Sequence, residues 1–182
     1  GYLDGARLFN ASTALGESPQ EICSEVDAVM FCLSKGLCAP VGAMLAGSCE
    51  FVERARWMRQ RIGGGMRQAG HMAAAGLVAL KQMMPRLSVD QSNAQYLITK
   101  LKEIDERLVD PESGFTNVVK LDFSSFGISA QEIVDSLLTY NIKVKLIGQY
   151  TCRMITHYGI ERPQIDFAVS RIEQCLAKSC RH

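Results

Sequence analysis

Residues 28–33 (AVMFCL) form an unbroken apolar run that gives way to Ser34, Lys35 and Gly36, the pattern of a strand buried on both faces that ends at a polar mouth. Residues 40–47 (PVGAMLAG) read as a second such strand. The opening GYLDGARLF reads as the end of a strand, a turn at Asp4-Gly5 and the start of a helix, and QEICSEV after Pro19 is a short helical stretch. Over 49–62 charges and apolar residues recur at helical spacing. After three glycines, a second helix rich in Ala and Gly is expected over about 66–84, and Pro85 permits a break. A third helix, over 89–108, carries Tyr96, Leu97, Leu101, Ile104 and Leu108 on one side.

Around DPESG (110–114) the pattern changes to alternating strands and helices. Residues 117–122 are a strand candidate, and Ser129 followed by Glu132 is a capping-box signal for a helix reaching about Tyr140. Ile142, Val144 and Leu146 alternate with lysines as a half-exposed strand, 153–157 is another, and 164–178 closes the chain as a helix with Ile165, Ala168, Val169, Ile172 and Leu176 inward. The expected fold is α/β: a first unit over 1–108, then a small α+β unit over 109–182. There are no repeats and no low-complexity segment.

Composition narrows the chemistry. With 20 basic and 19 acidic residues among 182, and no long block of one sign, neither nucleic acid nor a membrane surface is indicated as a partner. Several of the seven cysteines sit inside apolar stretches, as reduced thiols do. The weakly polar stretch 69–80 is too short to span a bilayer, and no basic-then-apolar signal opens the chain, so a cytoplasmic protein is expected.

Lys35, at the carboxyl end of a buried strand, lies where open α/β sheets place ligands, and a partly desolvated amine there suits Schiff-base chemistry; taken alone, Ser-Lys-Gly more often marks a lysine that ends the strand and reaches for water. Asp4 at a strand end could hold a protonated ring nitrogen, and Arg7, three residues on, offers a fork for a carboxylate; the alternative is a turn aspartate beside an arginine. GGGMRQAG (63–70), with Arg67 in the first turn of the expected helix, suits a phosphate, or else forms a hinge. Arg153 on a strand could reach a substrate carboxylate across a cleft between the two units, or lie on an exposed face. His157 would share its face, while His71 reads as a packed or capped residue. Cys175, Cys180 and His182 lack zinc-ligand spacing, and no metal is expected.

Taken in order, LDGARLFNA (3–11), FCLSKGLCAPVGAMLAG (31–47), ARWMRQRIGGGMRQAGHMAAAGLVAL (55–80) and RMITHYGI (153–160) resemble the threonine aldolases, pyridoxal-phosphate enzymes of the aspartate aminotransferase fold type I within the wider β-eliminating lyase group. The resemblance spans nearly the whole chain and is strongest over 3–80. It implies that residues 1–108 are the C-terminal part of the pyridoxal 5'-phosphate-binding large domain of a transferase-like fold. Lys35 would be the catalytic residue that takes the cofactor as a Schiff base, and Asp4 would hold the pyridinium nitrogen. Arg7 and Arg153 would grip the amino-acid carboxylate, Arg7 also lying against the cofactor, and Arg67 would help bind its phosphate, across the interface of a homo-oligomer, a dimer or a tetramer. The implied reaction is retro-aldol cleavage of a β-hydroxy-α-amino acid, threonine or allo-threonine, to glycine and acetaldehyde.

The departures carry expectations of their own. The family's chain is about twice as long, and its cofactor-stacking histidine and phosphate-binding Gly-Thr turn correspond to a segment before Gly1. Tyr2 stands where the family commonly has histidine, Gln60 where it has lysine, and Cys38 where it has glycine. This chain alone is therefore expected to be inactive or poorly folded, with exposed sheet edges. Two other readings stand beside the aldolase: a related pyridoxal-phosphate lyase acting on another amino acid, and a non-catalytic remnant that associates with a complete subunit.

Overall fold

In the computed structural model, which describes residues 1–179, strand β1 (Tyr2–Asp4) runs parallel to β2 (Ala28–Cys32), with Tyr2 opposite Ala28 and Asp4 opposite Met30. The crossover between them carries helix α1 (Leu8–Leu15), ended by Gly16 in a left-handed conformation, and the short α2 (Pro19–Ile22). Ser18 and Glu21 close a reciprocal capping box on α2. Phe9 of α1 meets Phe31 of β2 edge to face at 5.2 Å, pinning the helix to the strand. Strand β3 (Ala43–Gly47) pairs antiparallel with β2 and completes a sheet of order β1-β2-β3.

All five residues of β3 are exposed, whereas the sequence pattern reads the segment as a buried strand. An apolar run records that a strand has apolar surface to cover, not that the cover is present. Helix α3 (Cys49–Arg61) follows, its N-terminus capped by Ser48 Oγ, which accepts the Phe51 N–H. Helix α4 (Gly70–Val78) begins four residues later than the expected start at 66, because Gln68 holds a positive φ angle that cannot continue a helix; it runs on into a π-helical turn, Ala79–Met83.

The chain divides into two units, Gly1–Ser88 and Val89–His182. Helix α5 (Leu87–Ile104), which the pattern-based division at 108 groups with the first unit, places Ala94, Leu97 and Leu101 in the core of the second. That core also takes Val119 and Leu121 of β4 (Val118–Asp122), Ile133 and Leu137 of α6 (Ala130–Leu138), Cys152 of β6 (Thr151–Ile155) and Ile172 of α7 (Arg162–Ser179). Strand β5 (Lys145–Leu146) completes an antiparallel sheet of order β4-β6-β5. Alternation in β4 turns Val119 and Leu121 inward and leaves Lys120 on the opposite face. Helices α5, α6 and α7 cover the inward face.

Candidate active site

Parallel pairing brings the carboxyl ends of β1 and β2 to the same sheet edge, so Asp4 and the loop that carries Lys35 lie at one edge of the first unit. Asp4 is exposed; its Oδ1 accepts the Ala6 N–H at 3.2 Å in a tight turn, which leaves Oδ2 with no hydrogen-bond partner among the described residues. Arg7 is half-buried at the N-cap of α1. Gly5 must stay small, since a Cβ there would stand 3.0 Å from the Met30 carbonyl oxygen.

The Lys35 loop is anchored from both sides. Leu33 N–H donates to Gly42 O, Ala39 N–H to Leu33 O and Cys38 N–H to Lys35 O, each at 2.9 Å. Leu33, Leu37 and Ala39 are buried with Ala79 and Leu87, while Ser34 and Lys35 between them are exposed. The apolar run therefore tethers the loop, and Lys35 itself is exposed. Gly36 packs against the buried Asn10, whose Oδ1 would stand 2.7 Å from a Cβ at this position. Asn10 is a support for the lysine loop that the sequence pattern alone did not single out.

Arg67 lies exposed in the loop that precedes α4, not in a first helical turn as expected. His71 is exposed in that helix rather than packed, and His157 lies exposed beyond the end of β6, its Nδ1–H donating to Tyr158 O. Arg153 sits in the second unit, in the middle of β6; it is half-buried, and its Nε is buried without a hydrogen-bond partner. None of the six described cysteines is in a disulfide, and burial pushes the Cys152 thiol up to about 12. Cys180 and His182 lie outside the described residues. Among the described residues no group of three His, Cys, Asp or Glu side chains could hold a metal ion, and no helix is long and apolar enough to cross a membrane.

This arrangement is the α/β fold of the pyridoxal-phosphate enzymes of fold type I. Threonine aldolase from Leishmania major superposes with a TM-score of 0.68 at 14% identity, over 96% of this chain and 51% of that one. A structure described as SPT with its PLP internal aldimine gives 0.71 at 17% identity, over 98% of this chain and 47% of that one. The family model described as beta-eliminating lyase matches residues 2–124, and the chain belongs to that family. It is 35% identical over 176 residues to low-specificity L-threonine aldolase 1 of Arabidopsis thaliana, covering 96% of this chain and 49% of that protein. The chain spans about half the length of the curated relatives it matches.

The residues present suit the PLP named in the description of the second of these solved structures. A carboxylate with an uncommitted oxygen and a primary amine share one sheet edge, which is the donor set that a pyridine nitrogen and an aldehyde require.

Proposed function

We propose that this chain carries the lysine-bearing half of a pyridoxal 5'-phosphate-dependent aldehyde-lyase that cleaves L-threonine and L-allo-threonine to glycine and acetaldehyde. The observation that carries the reading is the parallel β1–β2 register, which brings Asp4 and the Lys35 loop to one edge in a member of the beta-eliminating lyase family. When bound, the cofactor supplies an electron sink for cleavage at the α-carbon. Asp4 would keep the ring nitrogen protonated through its carboxylate, and Lys35 would offer Nζ to the aldehyde carbon. The guanidinium forks of Arg7 and Arg153 would orient the substrate carboxylate, and Arg67 would neutralise phosphate charge. In the substrate the Cα–Cβ bond breaks, the β-hydroxyl proton leaves as acetaldehyde forms, and Cα takes up a proton. The reaction would belong to threonine breakdown and glycine formation, carried out in the cytoplasm by a homo-oligomer.

The test is the absorbance spectrum of the chain with pyridoxal phosphate, followed by borohydride reduction, peptide mapping and assay of glycine released from threonine. A reduced label on Lys35 that is absent from Lys35→Ala supports the reading; a folded chain labelled elsewhere or not at all removes it.

One feature favours the second reading, a non-catalytic subunit that associates with a complete aldolase. The first unit exposes β3 and large apolar side chains including Trp57 at 58%, Ile62 at 76% and Met66 at 63%. Stable co-purification with a full-length aldolase, with no label on Lys35, would favour it.

A further inference from the structure

Antiparallel register aligns three cations in one row across the second sheet: Lys120 of β4 faces Arg153 of β6, and Lys145 of β5 faces Arg153 from the other side. Residues directly opposite share a face with Cβ atoms about 5 Å apart, and like charges so placed destabilise a sheet. The three cations differ in how their charge is met. Lys120 Nζ lies 3.9 Å from Asp110 and 3.9 Å from Glu112. Lys145 and Arg153 have no ion-pair partner among the described residues, and Arg153 also buries Nε without an acceptor. Asp122 is on the same face, diagonal to Arg153, but its Oδ1 accepts the Ser124 N–H. Thr151, Ile155 and Val118, the remaining neighbours of Arg153 on that face of β4 and β6, bring no charge.

We propose that Arg153 and Lys145 form a two-cation clamp that selects β-hydroxy-α-amino acids bearing a second carboxylate, of the β-hydroxyaspartate type, over threonine. This rests on the reading of Arg153 as the residue that takes the α-carboxylate. Arg153 meets one carboxylate with its planar fork, and Lys145 presents a point charge to the other. The spacing agrees: three C–C bonds of about 1.5 Å put the two carboxyl carbons at most about 4 Å apart, close to the separation of directly opposed side chains. Threonine, with a methyl group in place of the second carboxylate, leaves Lys145 unanswered.

The experiment follows the Arg153 Nε–Hε resonance of the whole ¹⁵N-labelled chain, assigned by its loss in Arg153→Lys, during titration with L-threonine and with L-threo-3-hydroxyaspartate. The dicarboxylate is expected to bind about tenfold more tightly than threonine, as one added charge-assisted contact implies. In Lys145→Gln its affinity falls to that of threonine, while in Lys120→Gln the preference is unchanged. Equal affinities in the wild-type chain, a preference that survives Lys145→Gln, or no response to either ligand overturns the clamp. A response to the dicarboxylate with none to threonine sustains the clamp and removes Arg153 from the threonine reading.

Discussion

Cys38 is held at a φ of +58°, in the left-handed region where a Cβ crowds the following carbonyl, and its N–H closes the turn on Lys35 O. Cys38→Gly is therefore expected to stabilise the chain. Relief of the strain exceeds the unfolded-state freedom that glycine adds, for a net gain of about 0.5–1 kcal/mol, seen as a higher urea midpoint at constant slope. Gly36→Ala acts in the opposite sense. Its Cβ would meet Asn10 Oδ1 at 2.7 Å and Leu87 Cδ2 at 3.0 Å, and overpacking of this kind costs about 1–3 kcal/mol. Cys152 sets a pH dependence. Its folded-state pKa, about 12, lies above that of a thiol in the unfolded chain, so from the ordinary thiol range up to 12 the unfolded chain holds fewer protons. Stability should fall across that window as pH rises, and the fall should be shallower in Cys152→Ala when unfolding is compared at pH 8 and pH 11.

The elements of the second unit report how far pattern alone reaches. Leu121 is fully buried in β4, so Leu121→Ala should cost about 2–5 kcal/mol, while Ser129→Ala, which removes the acceptor for the Gln131 N–H at the start of α6, should cost only about 1 kcal/mol. Denaturant unfolding of the two variants checks the order. The strand that carries Leu121 and the cap at Ser129 were legible because both signals are local, but Ser129 Oγ accepts the Gln131 N–H and not, as the capping-box spacing to Glu132 predicts, the N–H of Glu132. The carboxyl ends of β1 and β2, and with them Asp4 and Lys35 as separate candidates, were legible for the same reason; the parallel pairing that brings those ends together was not. The row Lys120–Arg153–Lys145 was not: it exists only through the register of three strands separated by long stretches of chain. Nor was the exposure of β3, His71 and His157 legible, since burial depends on what lies opposite a side chain, and apolar content does not record it.

At the scale of the whole molecule the two units differ in what holds them. In the second, three helices close over one face of the sheet, and Leu101, Leu108, Val119, Leu121, Phe123, Leu137 and Ile172 lose all contact with water. In the first, the buried cluster around the lysine loop is Leu33, Leu37, Ala39, Ala79 and Leu87, and β3 and α3 have no buried residue. Local opening is governed by how much apolar contact it breaks, so the lysine loop and β3 should open at far lower free energy than β4 or β6. Amide hydrogen exchange is expected to show Val119, Leu121 and Cys152 among the slowest amides and residues 33–47 among the fastest of the ordered ones. Saturating pyridoxal phosphate should then slow exchange around Lys35 and leave β4 and β6 unchanged, because a ligand stabilises only the states that bind it. Slowing confined to residues 89–179 would place cofactor binding away from the lysine loop, and uniform slow exchange throughout the free chain would show that the first unit needs no cover to be stable.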